Sequence, residues 1–181
     1  GWFASRRHCP DIVAHPHTRL TALCRRSRPE LERMGQAFAV SALFTDHREL
    51  LASGLVDAVV VCSPHDLHYE HTRAALEAGL PVLLEKPLTF DPAQGRELVA
   101  LAAGRGLVLL VAQNPPYWSH CRYLRDAVAA GRLGDLEAVS ITWVGNALGV
   151  LGREPLPANL PGVVPPTLFR GDPAANGGGF L

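Results

Sequence analysis

Lys86 is the only lysine in a chain of 181 residues that carries sixteen arginines. Arginine stays protonated under any ordinary condition, whereas a lysine, with a pKa of about 10.4, can be drawn toward neutrality for proton transfer. Lys86 follows Glu85 and precedes Pro87, and that proline stiffens the backbone and restricts Lys86 to extended conformations. The bland alternative is chance survival of one lysine in a chain rich in Ala, Gly, Pro and Arg. A second polar cluster, Ser63-Pro64-His65-Asp66-Leu67-His68, follows the apolar run Val59-Val60-Val61-Cys62. His65, His68 and His71 recur every third residue, which raises the alternative of a shared zinc in a metal-dependent hydrolase. A helical i, i+3, i+6 set drifts around the axis, and no Asp or Cys completes the ligands, so no metal is expected. His8, His15, His17, His47 and His120 read as surface or capping residues.

Short apolar runs alternate with amphipathic segments, the rhythm of βαβ units and a parallel sheet. Residues 18–24, 56–62, 80–84 and 107–112 are predicted strands. Pro29 to Phe38, His68 to Glu77 and Pro92 to Ala103 are predicted helices, the last with Asp91 as N-cap. Gly79 and Gly104 serve as helix stops. In an open α/β sheet, ligands bind outside the carboxyl ends of the strands. Two such ends therefore deliver Pro64, His65, His68, Glu85 and Lys86 to one crevice.

The alternation ends near Gln113-Asn114-Pro115-Pro116, which divides the chain into residues 1–113 and 114–181. In the second part, residues 119–130 form an amphipathic helix closed by Gly131, and Leu136 to Val144 reads as a half-exposed strand. From Gly145 onward, six prolines between Pro155 and Pro173 predict an extended loop. Tyr117 and Trp118 read equally as substrate-pocket lining and as packing anchors.

Seventeen basic residues balance seventeen acidic ones, and 48% of the chain is hydrophobic. Disorder demands fewer apolar residues, and a nucleic-acid or anionic-membrane binder a basic surplus, so neither partner is expected. No apolar run approaches the roughly 18–20 residues of a membrane span, which makes the cytoplasm the default location. Cys9, Cys24, Cys62 and Cys121 form no CxxC pair and read as mostly buried thiols.

Together these segments resemble the glucose-fructose oxidoreductase, inositol dehydrogenase and rhizopine-catabolism family (Gfo/Idh/MocA) of NAD(P)-dependent oxidoreductases. The resemblance lies in Val56-Asp57-Ala58-Val59-Val60-Val61 with the turn Ser63 to His68, and in Ala78-Gly79-Leu80-Pro81-Val82-Leu83-Leu84-Glu85-Lys86-Pro87. It continues in Leu110 to Asn114 and in Ala130-Gly131-Arg132-Leu133-Gly134-Asp135-Leu136. It implies an α/β fold, a Rossmann-like doubly wound parallel sheet lacking its first strand, followed by the start of an α+β substrate and oligomerisation domain. It further implies hydride transfer between a nicotinamide cofactor and a sugar, cyclitol or related hydroxyl compound, in a complete protein that forms a homo-oligomer. Lys86 becomes the lysine near the reacting carbinol. Glu85 contacts the cofactor ribose region, Ser63, Pro64, His65 and His68 line the cofactor, and Gln113, Asn114, Tyr117 and Trp118 lie at the cofactor and substrate edge.

Both ends look cut. The family's glycine-rich turn should precede a helix around His8 to Ala14, yet only Gly1 to Arg7 stand there. Gly177-Gly178-Gly179-Phe180-Leu181 resembles the start of the segment that carries the family's catalytic Asp and His, neither of which is present. The 181 residues alone are therefore expected to be inactive and unstable. A non-catalytic nucleotide- or partner-binding relic is the alternative. At the end of the second family strand, Arg25, Arg26 and Ser27 stand where NAD-preferring proteins place an acidic residue. Arginine there accommodates a 2′-phosphate, which favours NADP over NAD.

Overall fold

The computed structural model describes residues 1–142, 144–145 and 172–177. Five short strands alternate with helices in chain order. β1 is Ala22–Cys24, β2 Ala42–Phe44, β3 Val59–Val61, β4 Val82–Leu84 and β5 Leu109–Val111. The helices are α1 Cys9–Ala14, α2 Arg28–Ala37, α3 His47–Ala52, α4 His68–Glu77, α5 Pro92–Gly104, α6 Ser119–Ala129 and α7 Pro173–Asn176. A π-helical stretch, Ala4–His8, runs directly into α1, and 3-10 turns occupy His65–Leu67 and Pro115–Tyr117.

All pairing is parallel, as the βαβ rhythm requires. β1 pairs with β2 through Leu23 opposite Leu43, while β4 lies between β3 and β5 with Leu83 opposite Val60 and Leu110. The strands form two sheets, β1-β2 and β3-β4-β5, and among the described residues no strand joins β1 to β3.

Each sheet has its own core. Val61, Leu76, Val82, Leu84 and Leu98 bring α4 and α5 onto the three-stranded sheet. Cys9, Leu23, Leu31, Met34 and Val40 pack α1 and α2 around β1. α3 touches β1, β2 and α4, and so bridges the two.

Local chemistry sets the helix ends. Asp46 and Asp91 accept hydrogen bonds from the Arg48 and Ala93 amides at 2.8 and 2.7 Å, capping α3 and α5. α4 stops at Gly79, whose φ of 81° lets the Leu80 amide reach back 3.0 Å to the Ala75 carbonyl. The stop after α5 is Gly106, with φ 64°, rather than Gly104, which still belongs to the helix.

Three expectations need correction. β2 and α3 were not predicted from the sequence. The strand expected over Leu136 to Val144 is not formed by residues 136–142 or 144–145: Val139, Ile141 and Val144 are 73%, 84% and 92% exposed, and among the described residues no strand pairs with them to form a ladder. Of the four cysteines, Cys9 is buried, Cys62 and Cys121 are half-buried and Cys24 is exposed, because Cys24 ends β1 where the strand leaves the core. The proline-rich loop expected beyond Gly145 and the residues after Gly177 lie outside the described residues.

Candidate active site at the strand ends

β3 and β4 end side by side, and the ladder runs one step further, since the Glu85 amide donates to the Val61 carbonyl at 2.9 Å. On the other side, the Ala112 amide donates to the Leu84 carbonyl at 2.8 Å. The turns carrying Ser63-Pro64-His65, Glu85-Lys86 and Gln113-Asn114 therefore emerge from three neighbouring strands. Such an edge is where α/β sheets take their ligands.

Glu85 is held from two sides. His8 Nε2 lies 2.8 Å from Glu85 Oε1, and the Lys86 amide donates to Glu85 Oε2 at 3.2 Å. Only 16% of the His8 side chain and 14% of the Glu85 side chain are exposed, and the His8 ring packs edge-on against Phe3. His8 is thus an inward partner of the site and not a surface or capping residue. Lys86 is exposed and, among the described residues, makes no side-chain hydrogen bond or ion pair. The Lys86–Pro87 peptide is cis.

His68 does not line the crevice as expected. Its side chain is fully buried, with Nδ1 2.7 Å from the Pro87 carbonyl and Nε2 3.1 Å from the Ser63 carbonyl. Burial holds its pKa below the ordinary histidine value, against the opposing pull of the two carbonyls. His65 is 9% exposed and packs between the His68 and Phe90 rings, with centroids at 5.3 and 6.0 Å. Pro64 opens the His65–Leu67 turn, accepting from the Leu67 amide at 3.0 Å. The Ser63 hydroxyl oxygen is shielded from solvent and has no hydrogen-bond partner among the described residues.

Arg25 follows β1 directly and is half-buried, whereas Arg26 and Ser27 are exposed. Burial, with Arg33 nearby, pulls the Arg25 guanidinium below its ordinary pKa, and among the described residues neither Arg25 nor Arg26 has a carboxylate partner. Gly1 lies within electrostatic reach of Arg25, Cys62 and Cys9, which sets the start of the chain near the ends of β1 and β3. Burial pushes the Cys62 thiol up to about 12, so it stands there as a protonated group.

Tyr117 and Trp118 are 69% and 37% exposed, and Gln113 and Asn114 are exposed as well. The Tyr117 amide donates to the Asn114 carbonyl at 3.0 Å, closing the turn that carries all four. From the far end of the chain, α7 packs on the His65–Leu67 turn, with Asp172 capping it through the Ala174 amide at 3.0 Å. Gly177, with φ 73°, sits so close to Phe90 that a Cβ would fall 2.6 Å from its ring. Phe90 was not singled out from the sequence, and Gly177 was noted there only as the first residue of the glycine run.

The three histidines do not converge. His68 is engaged by two carbonyls, His71 stacks on His47 at 4.4 Å, and no group of three metal-ligating side chains occurs among the described residues. His47, with a side chain 23% exposed, belongs to that stack. No helix among the described residues is long and apolar enough to cross a membrane.

Parallel βαβ units with turns gathered at their carboxyl ends define an α/β protein whose ligand crevice lies along that edge. A family model described as "Oxidoreductase family, NAD-binding Rossmann fold" matches residues 1–113, and the chain belongs to that family, Gfo/Idh/MocA. It is 40% identical over 142 residues to the dTDP-3,4-didehydro-2,6-dideoxy-alpha-D-glucose 3-reductase of Streptomyces violaceoruber, covering 77% of this chain and 41% of that one. Among solved structures, it is similar to a 3-ketoreductase from Actinomadura kijaniata in complex with TDP-benzene and NADP. There the TM-score is 0.66 and the identity 35%, over 72% of this chain and 41% of the other. It is also similar to the scyllo-inositol dehydrogenase of Lactobacillus casei with bound NAD(H) and scyllo-inositol, with TM-score 0.67 and 25% identity over 71% and 38%. The chain spans about two fifths of the length of the curated relatives it matches.

Proposed function

We propose that this chain is the dinucleotide-binding part of an oxidoreductase that interconverts a carbinol and a carbonyl on a sugar or cyclitol, with NADP preferred over NAD. The observation that carries this reading is the meeting of Ser63, Glu85 and Lys86 at adjacent strand ends, with the Lys86 ammonium exposed and unpaired among the described residues. Residues 114–181 begin the substrate and oligomerisation region.

The residues present fit a nicotinamide dinucleotide. Among the described residues the shielded Ser63 hydroxyl lacks a partner, and the half-buried Arg25 cation has no carboxylate beside it. Both are costly unless something polar completes them. When bound, the nicotinamide ring accepts or gives the hydride. Arg25 and Arg26 hold an anionic 2′-phosphate at the end of β1. Glu85, fixed by His8, accepts from ribose hydroxyls. Lys86 Nζ donates a hydrogen bond to the reacting oxygen of the substrate and stabilises negative charge that develops there. Tyr117 and Trp118 offer apolar faces to a sugar ring beside that oxygen.

Several of the relatives carry the number 3 in their activity, as a 3-reductase, a 3-dehydrogenase and a 3-ketoreductase, which supports screening the C3 position of hexoses first. The test uses the full-length protein with NADPH or NADH and a panel of 3-keto sugars, nucleotide-activated 3-keto sugars and polyols, followed by nicotinamide absorbance. NADPH-dependent turnover of a sugar substrate is expected. Absence of turnover together with absence of dinucleotide binding overturns the reading.

A further inference from the structure

His68 spends a fully buried imidazole on two backbone carbonyls that belong to different strand-end turns. A leucine would fill that core position without desolvating polar atoms, so the histidine is informative. Its Nδ1 contact, at 2.7 Å to Pro87, reaches the residue after Lys86, and its Nε2 contact, at 3.1 Å to Ser63, reaches the other turn of the crevice. A neutral imidazole has one N–H to donate. The shorter contact assigns it to Nδ1, donating to the Pro87 carbonyl; Nε2 then carries no proton and makes no hydrogen bond to the Ser63 carbonyl 3.1 Å away. α4, which His68 begins, also packs on both β3 and β4. The ring is therefore anchored to the layer beneath the two turns.

We propose that His68 is a positioning residue that straps the Lys86-Pro87 turn to the first turn of α4, directly after the Ser63 turn, and so fixes where the Lys86 ammonium stands relative to the bound dinucleotide. The proposal rests on the oxidoreductase reading for its kinetic consequence but not for its structural one. If the strap slackens, the lysine loses its place while the dinucleotide surface, carried by other side chains, remains. Misplacing a catalytic group by about 1 Å is enough to cost on the order of 10²-fold in rate.

Three variants of the full-length protein separate the possibilities. His68→Asn keeps a donor near the Nδ1 position, His68→Gln moves it to the Nε2 position, and His68→Leu removes it. In hydrogen exchange read by mass spectrometry, residues 63–67 and 86–90 should exchange faster in His68→Leu and His68→Gln, with Leu109–Val111 unchanged. His68→Asn should exchange as the wild type does. In turnover, kcat should fall by about tenfold or more in His68→Leu and His68→Gln and stay within about threefold in His68→Asn, with dinucleotide Kd moving less than about threefold in all. Unchanged exchange in His68→Leu, a rise that also takes in Leu109–Val111, or equal behaviour of His68→Asn and His68→Gln overturns the proposal. If His68→Leu does not fold, the Asn and Gln pair decides. If the wild type turns over no substrate, the oxidoreductase reading falls and the exchange measurement alone decides the strap.

Discussion

His8 Nε2 and Glu85 Oε1 stand 2.8 Å apart although 77 positions separate them, which ties the leading helix to the end of β4. Both side chains are mostly shielded, so removal of one leaves the other without its partner in a poorly solvated place. His8→Ala should lower the unfolding free energy by about 1–3 kcal/mol, measured by urea denaturation. His8→Gln, which can donate from a similar position, should recover part of the loss. A His8→Ala variant with wild-type stability would remove the pair from the account of how Glu85 is held.

Lys86 has no side-chain partner to lose among the described residues, so its removal should leave the fold intact. Lys86→Ala in the full-length protein should lower kcat by roughly 10²-fold or more while dinucleotide affinity stays within about threefold. Turnover equal to the wild type would take Lys86 out of the chemistry.

Arg25 and Arg26 should decide between the two dinucleotides. Replacing both with alanine should weaken NADPH binding by about tenfold or more, about 1.4 kcal/mol, and leave NADH nearly unchanged. Fluorescence titration with each dinucleotide reads this directly. Equal losses for both would mean the arginines act on a part the two share.

Acid should destabilise the fold through its shielded imidazoles. His68 and His71 are both held below their ordinary pKa, chiefly by burial, with His47 adding to the shift at His71. Above pH of about 6.5 both folded and unfolded forms are neutral at these positions, and nothing is lost. Below it the unfolded chain takes up protons first, so stability falls with pH until the folded values are reached, by at most about 1.4 kcal/mol per pH unit for each group. Urea midpoints between pH 7 and pH 5 should therefore decline, and His71→Asn should flatten the decline. A midpoint that rises on acidification would contradict the assignment.

The parts of the fold legible in the sequence were those set by neighbours along the chain. α4 runs from His68 to Glu77 as its periodicity predicts, and Asp91 caps α5 where an acidic residue precedes a proline. β2 was missed because its apolar run, Ala42–Phe44, is closed by Ser41 and Thr45, whereas the apolar runs that hold β3, β4 and β5 extend beyond the three paired residues. The strand-end turns were legible because each lies within a few residues of its strand. What those turns touch was not: the His8 contact with Glu85 and the docking of Gly177 on Phe90 arise from tertiary closure, to which no local spacing points. His68 shows a subtler failure. A polar residue at a turn reads as ligand-facing, yet here the first turn of α4 rolls it inward, where it serves backbone carbonyls.

The segment Asp172–Gly177 comes back to a surface made by residues near 65 and 90, and this gives the molecule an order in time. A ribosome releases the His65–Leu67 turn and Phe90 well before the segment that covers them, so that surface is ready when the late piece arrives. Lengthening the connecting chain adds little to the cost of closing it, because loop entropy grows only logarithmically with length.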